Sequence, residues 1–180
     1  MKVMNYIVDK VRLGPLHMTL IDPDKQAPSK AAEIAATAEA LGTDAIMIGG
    51  STDVTQDNLD ATAIAIKHVV KIPVIYFPSG AHAISAHCDA IYYMSMLNSR
   101  DIRNVVGEQV AASLIVKKLG LEPLSMGYII VEPGMKVGEV GKADVVKRDD
   151  PKRACAYALA AEYMGMKLVY LEAGSGAPHP

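Results

Sequence analysis

Short runs of apolar and β-branched residues alternate along the chain with longer stretches in which apolar positions recur every three or four residues. The runs HMTLI (17–21), AIMIG (45–49), PVIYF (73–77), AIYYM (90–94), GYIIV (127–131) and LVYLE (168–172) are nearly continuous in hydrophobicity. That pattern suits strands covered on both faces, as in a parallel sheet. Between them the spacing predicts helices. Ser29 stands where a cap is wanted, Ile34, Ala38 and Leu41 fall on one face, and Gly42 marks a stop. Leu59, Ala63, Ile66 and Val70 form a second apolar stripe. RNVVGEQVAASLIVKKLG (103–120) ends on two lysines and a glycine, which favours a helix C-terminus there. Asp150 and Pro151 form a cap and first-turn pair opening KRACAYALAAEYMG. The crossover PSGAHAISAHCD (78–89) is shorter, with room for a turn or two of helix.

Strands alternating with helices imply right-handed βαβ units, in an open doubly wound sheet or a (β/α) barrel. IDPDKQ follows the first strand where a dinucleotide fold would carry its glycine fingerprint. Polar residues instead close several different strands, the way barrel active sites are assembled. The expected fold is therefore an α/β barrel in a single domain, residues 1–180. The stretch 132–150, with Gly134, Gly138 and Gly141, is the most irregular and is expected to be a mobile surface loop.

Composition narrows the classes. A net charge of −2 with no clustered basic run argues against a nucleic-acid partner. No apolar stretch approaches the ~20 residues needed to span a bilayer, and no signal segment opens the chain, so the cytoplasm is the expected location. Cys88 and Cys155 lack ligand spacing and are expected to be small buried hydrophobes.

The strand ends carry the candidate chemistry. Asp22 follows the first strand directly, with Pro23 fixing the turn and Asp24 and Lys25 beyond. A strand-end carboxylate suits Mg²⁺, which takes one or two protein oxygens and leaves room for phosphates; Asp24 can equally cap a turn. GGST after the second strand offers close backbone approach at Gly49 and Gly50 and a hydroxyl at Ser51 or Thr52, or simply a capped glycine turn. Tyr170 and Glu172 have the two-residue spacing that shares a strand face. With AGSG following, Glu172 reads as a carboxylate base beside anion-accepting N–H groups, or as a salt-bridged structural residue. Asn98, Ser99 and Arg100 follow the fourth strand, where Arg100 can meet a diphosphate or Ser99 and Asp101 can start a helix. The histidines show no ligand spacing, and none is assigned a role.

TLIDPDK, AIMIGGST, YYMSMLNS, YIIVEPGMKVGEVG and YALAAEYMGMKLVYLEAGSGAP, in that order, closely resemble the geranylgeranylglyceryl phosphate synthase family of archaeal ether-lipid synthesis. The resemblance implies a modified TIM barrel and a prenyl transfer from geranylgeranyl diphosphate to sn-glycerol 1-phosphate. It puts Mg²⁺ on Asp22 and the Ser51 hydroxyl. The acceptor phosphate would lie along Tyr170, Leu171, Glu172, Ala173, Gly174, Ser175 and Gly176, with Tyr170 and Glu172 catalytic. It also suggests a homo-oligomer with peripheral membrane contact for product release. Family members continue for two more βα units with phosphate-binding turns, whereas this sequence stops after strand six. The chain is therefore expected to be a barrel lacking units seven and eight. A longer prenyl donor, or a non-catalytic form that only binds metal-diphosphate, are the alternatives.

Overall fold

The computed structural model describes residues 2–50 and 53–178. Its elements are α1 (Val3–Val11), β1 (Met18–Ile21), α2 (Pro28–Ala40), β2 (Ala45–Ile48), α3 (Gln56–Lys67), β3 (Val74–Tyr76) and β4 (Ala90–Met96), then α4 (Glu108–Leu119), β5 (Glu122–Ile130), α5 (Met135–Val140), α6 (Pro151–Tyr163) and β6 (Leu168–Glu172). The strands follow one another in the sheet in chain order, β1-β2-β3-β4-β5-β6. The β1–β2, β2–β3, β3–β4 and β5–β6 pairs are parallel. An open doubly wound sheet reverses its order at a switch point; an unbroken progression belongs to consecutive units of a (β/α) barrel. The contacts divide the chain into two compact units, Met1–Tyr92 with Ser113–Pro123, and Tyr93–Ala112 with Leu124–Pro180.

In the first unit, Ile46, Ile48, Val74, Ile75 and Tyr76 are fully buried in the strands, and Leu59, Ala63 and Ile66 cover them from α3. This is the predicted stripe, with Val70 also buried. Burying a Leu or Ile contributes about 1.5–3 kcal/mol, whereas helix propensities differ by at most about 0.7 kcal/mol among ordinary residues, so packing rather than propensity holds α3. Thr55 closes its N-terminus in a reciprocal capping box with Asn58. α2 departs from expectation. Pro28 at its first position starts it, Ser29 lies inside, and Ala31 and Ala35 are the buried residues. Ile34 and Ala38 are half-buried, and Leu41 is 83% exposed. The small side chains let α2 and α3 pack closely, which rotates the larger residues outward.

The crossover 78–89 contains turns and no helix. Side chains of α3 supply what a helix would have satisfied. Gln56 accepts from the Ile84 N–H at 3.0 Å and donates to its carbonyl at 3.1 Å, and Lys67 pairs with Asp89 at 2.7 Å. α1 is an unforeseen element. Its first amides, Val3 and Met4, donate to the Glu122 carboxylate at 2.6 and 3.1 Å, a cap supplied from far along the chain.

In the second unit, β5 starts earlier than the apolar pattern suggested, because Pro123 is tolerated at the beginning of a strand. Asn98 is buried directly after β4. Its amide donates to the Ile130 carbonyl at 2.8 Å and accepts from the Ile130 N–H at 3.0 Å, replacing a strand rung, and also reaches the Asp144 carbonyl at 3.1 Å. A π-helical turn over Arg103–Gly107 precedes α4, and the buried Ser95 hydroxyl donates to the Val105 carbonyl within it at 2.6 Å. The stretch 132–150 is not a free loop. It contains α5, and Val146 bridges in parallel to Val131, its N–H donating to the Ile130 carbonyl at 3.1 Å. Asp150 caps α6 through the Arg153 N–H at 3.1 Å, with Pro151 in the first turn, as predicted.

Of the two cysteines only Cys88 is buried; Cys155 is exposed on α6. Burial, reinforced by the nearby Asp89 and Asp60, pushes the Cys88 thiol up to about 12. A disulfide reagent at neutral pH should therefore modify one thiol quickly and the second only after unfolding. Cys155→Ser should remove the fast phase. Rapid modification of two thiols in the native protein would contradict the packing of Cys88.

Candidate active site

At the end of β1, the residue register pairs Ile21 with Ile48, so Asp22 and Gly49 emerge side by side. The Gly49 N–H donates to the Ile21 carbonyl at 3.2 Å, and the Phe77 N–H to the Ile48 carbonyl at 2.7 Å. A Cβ on Gly49 would overlap the Phe77 carbonyl, so its glycine is a packing requirement between β2 and β3. Gly50 differs. A Cβ there would stand 3.1 Å from Asp24 Oδ1, 3.2 Å from Val54 Cγ2 and 3.5 Å from Asp22 Oδ1, so both carboxylates and the Val54 methyl border the space its missing side chain leaves. The turn is pinned by the Asp22 carbonyl, which accepts from the Lys25 N–H at 3.3 Å and from the Gln26 side-chain amide.

Burial, then the neighbouring Asp24 charge, raise the Asp22 carboxyl above the ordinary aspartate range, and Lys25 partly offsets them. Asp24 pairs its Oδ2 with Lys25 Nζ at 2.7 Å, while its Oδ1 is buried with no hydrogen-bond partner among the described residues. It does not cap the turn: no backbone N–H among the described residues donates to it. A buried unpaired polar atom costs about 1–3 kcal/mol, and more when charged. No group of three or more His, Cys, Asp or Glu side chains that could hold a metal occurs among the described residues. A strand-end carboxylate such as Asp22 suits Mg²⁺, which takes one or two protein oxygens and keeps several waters. Ser51, the other expected metal ligand, lies outside the described residues.

The second set of candidates lies on β5 and β6. Tyr128 is in register with Tyr170, and Ile130 with Glu172. The alternating exposure of β6 puts Leu168, Tyr170 and Glu172 on one face, as their spacing predicted, and turns Val169 and Leu171 to the other. Leu171 therefore offers this site its backbone only. The Tyr128 and Tyr170 rings lie 5.6 Å apart, and both phenols are within hydrogen-bonding reach of the Glu172 carboxylate. Burial first, and the Glu172 charge second, hold both phenols above the ordinary tyrosine range. They thus keep their protons at neutral pH and donate to Glu172. A third donor is the Gly174 N–H, 2.8 Å from Glu172 Oε1. No Lys or Arg salt bridge to Glu172 occurs among the described residues.

The AGSG turn is fixed from outside. The Gly134 N–H donates to the Ala173 carbonyl at 2.9 Å. Gly174, buried at φ 99°, leaves no room for a side chain: a Cβ would overlap Met135 and stand 3.0 Å from the Gly134 carbonyl. Ser175 and Gly176 are exposed beyond it. Asp101 accepts from the Arg103 N–H at 3.0 Å, the helix-start role expected for it, and Arg100 is engaged with Asp144 at 3.1 Å. Sequence reasoning missed Tyr128, Gly134 and Met135. Tyr128 alone left a signal, a hydroxyl inside an otherwise apolar strand. Because Gly174 combines a left-handed backbone with contact on its missing side chain, Gly174→Ala should lower the thermal midpoint and weaken any ligand held by AGSG. An unchanged melting curve would show that the α5 contact does not constrain this turn.

Residues 6–180 match the PcrB family. The geranylgeranylglyceryl phosphate synthase of Methanococcoides burtonii is 53% identical over 181 residues, covering 100% of this chain and 73% of that protein. Among solved structures, wild-type GGGPS from Thermoplasma volcanium superposes with a TM-score of 0.96 at 48% identity, covering 100% of this chain and 72% of that one. The (S)-3-O-geranylgeranylglyceryl phosphate synthase of Thermoplasma acidophilum, in complex with its substrate sn-glycerol-1-phosphate, gives 0.95 at 48% identity, covering 99% of this chain and 72% of that one. With the strand order, the strand-end carboxylates and the AGSG turn already in place, this agreement over the whole chain settles the family: the chain belongs to the PcrB family and stands among its geranylgeranylglyceryl phosphate synthases.

Proposed function

We propose that this chain transfers the geranylgeranyl group of geranylgeranyl diphosphate to the C3 hydroxyl of sn-glycerol 1-phosphate. The observation that carries the reading is the match to the Thermoplasma acidophilum enzyme bound to that acceptor, at a TM-score of 0.95. The β6 geometry supports it. Glu172 is oriented by Tyr128, Tyr170 and the Gly174 N–H, and the AGSG backbone beside it suits a phosphate.

In the reaction, the allylic carbon–oxygen bond to diphosphate breaks and the acceptor C3 oxygen bonds to that carbon. Glu172 takes the hydroxyl proton as the oxygen attacks. The two phenols hold the carboxylate in place so that little reorganisation is needed. Asp22 and Ser51 would hold Mg²⁺; when bound, it supplies charge neutralisation for the departing diphosphate. The donor's long apolar chain and the product's lipid character suit a cytoplasmic reaction with peripheral membrane contact. No helix among the described residues is long and apolar enough to cross a membrane.

Glu172→Gln keeps the size and the Gly174 contact but cannot take a proton. Its turnover should fall by about 10²–10⁴-fold while binding of sn-glycerol 1-phosphate, followed by calorimetry, changes little. A loss below tenfold where chemistry limits the rate would make Glu172 structural. Asp22→Asn should abolish Mg²⁺-dependent transfer with the far-UV CD spectrum unaltered; retained metal-dependent turnover would remove Asp22 from the metal site.

A further inference from the structure

Asp24 has no part in the chemistry described so far, yet its placement is harder to explain structurally than that of Asp22. Its side chain is only 9% exposed. Lys25 engages one oxygen at 2.7 Å, which leaves Oδ1 as the inward-facing atom. That oxygen is buried without a partner among the described residues. It points at the same space beside Gly50 as Asp22 Oδ1 does, at 3.1 and 3.5 Å from where a Cβ on Gly50 would be. A carboxylate needed only for the turn would accept backbone N–H groups, and a carboxylate needed only for Lys25 would have no reason to bury its other oxygen beside a second aspartate.

We infer that Asp24 is a second carboxylate ligand of the cation held at Asp22, and that Gly50 is glycine to keep the space between the two oxygens open. The inference rests on the metal reading of Asp22 given above. Lys25 acts as a positioning residue: by occupying Oδ2 it fixes the Asp24 side chain with Oδ1 turned inward. It also supplies a positive charge beside two aspartates, which limits their mutual repulsion before a cation arrives.

Binding of Mn²⁺ as a Mg²⁺ substitute, followed by electron paramagnetic resonance with and without inorganic diphosphate, tests this independently of turnover. Wild type, Asp22→Asn, Asp24→Asn and Gly50→Ala are compared, with far-UV CD and a thermal melt for each. Asp24→Asn should weaken Mn²⁺ about 10–100-fold, the range typical of losing one supporting group at a metal site. Gly50→Ala should weaken it similarly although both carboxylates remain, which separates loss of the space from loss of a charge. Because Asp24 Oδ1 has no partner to lose and the Lys25 pair lies on an exposed lysine, the Asn variant should melt close to wild type in the absence of metal. If Asp22→Asn loses Mn²⁺ while Asp24→Asn binds within threefold of wild type, the inference is overturned and the proposed function stands. If wild type itself binds no Mn²⁺ under either condition, the metal reading fails and Asp24 fails with it, whereas the Glu172 assay still decides the transfer chemistry.

Discussion

A strand such as β3, with Val74, Ile75 and Tyr76 all fully buried, has no water to satisfy it and takes its backbone hydrogen bonds from neighbouring strands. Covered strands of this kind exclude charge along their length. Polar chemistry therefore moves to the points where the chain leaves the sheet, and parallel pairing makes those points equivalent from strand to strand. Asp22 after β1, Gly49 after β2, Asn98 after β4 and Glu172 at the end of β6 all stand at such exits. Asn98 shows what the position demands when no ligand is involved: its amide completes the hydrogen bonds of Ile130 that the departing strand no longer provides. The same demand at Glu172 is met by two phenols and the Gly174 N–H, which leaves a carboxylate held in one orientation.

Much of this was legible because both signals are local. β6 coincides with its apolar run, the α3 stripe is buried throughout, and Asp150 with Pro151 opens α6 as their chemistry suggests. What escaped the sequence depends on partners distant along the chain. α1 is capped by Glu122, more than a hundred residues away. The glycine-rich stretch 132–150 resembles a loop until Val146 docks on Val131 and Gly134 on Ala173. Leu41 was misplaced for a related reason: helical periodicity fixes which residues share a face, but the neighbouring helix decides which face turns inward. Tyr128 was absorbed into packing because its hydroxyl partner, Glu172, sits on the next strand.

The glycines at the two candidate faces do different work. Gly49 is small because Phe77 crowds it, a constraint internal to the sheet. Gly174 joins both requirements: its left-handed backbone turns its N–H toward Glu172, and Met135 occupies the volume a side chain would need. Glu172 and its turn are thereby tied to α5, so the orientation of the carboxylate depends on residues that never touch it. Such dependence ties the Gly134–Met135 end of the stretch 132–150 to the turn that follows β6.

Two aspartates on consecutive exposed positions of a turn would cost little. Placing both beside Gly50, Asp24 with its side chain nearly covered and Asp22 half-buried, with a single lysine for compensation, is costly. The raised Asp22 carboxyl reflects that cost: burial and the Asp24 charge make its ionised form less favourable than in a free aspartate. Any ligand that relieves this cost and binds the folded chain alone stabilises it by mass action. An anion would raise that penalty, whereas a cation or a hydrogen-bond donor would lower it. The local electrostatics of the first unit thus disfavour an anion placed directly against these carboxylates, while the second unit surrounds its one carboxylate with neutral phenols.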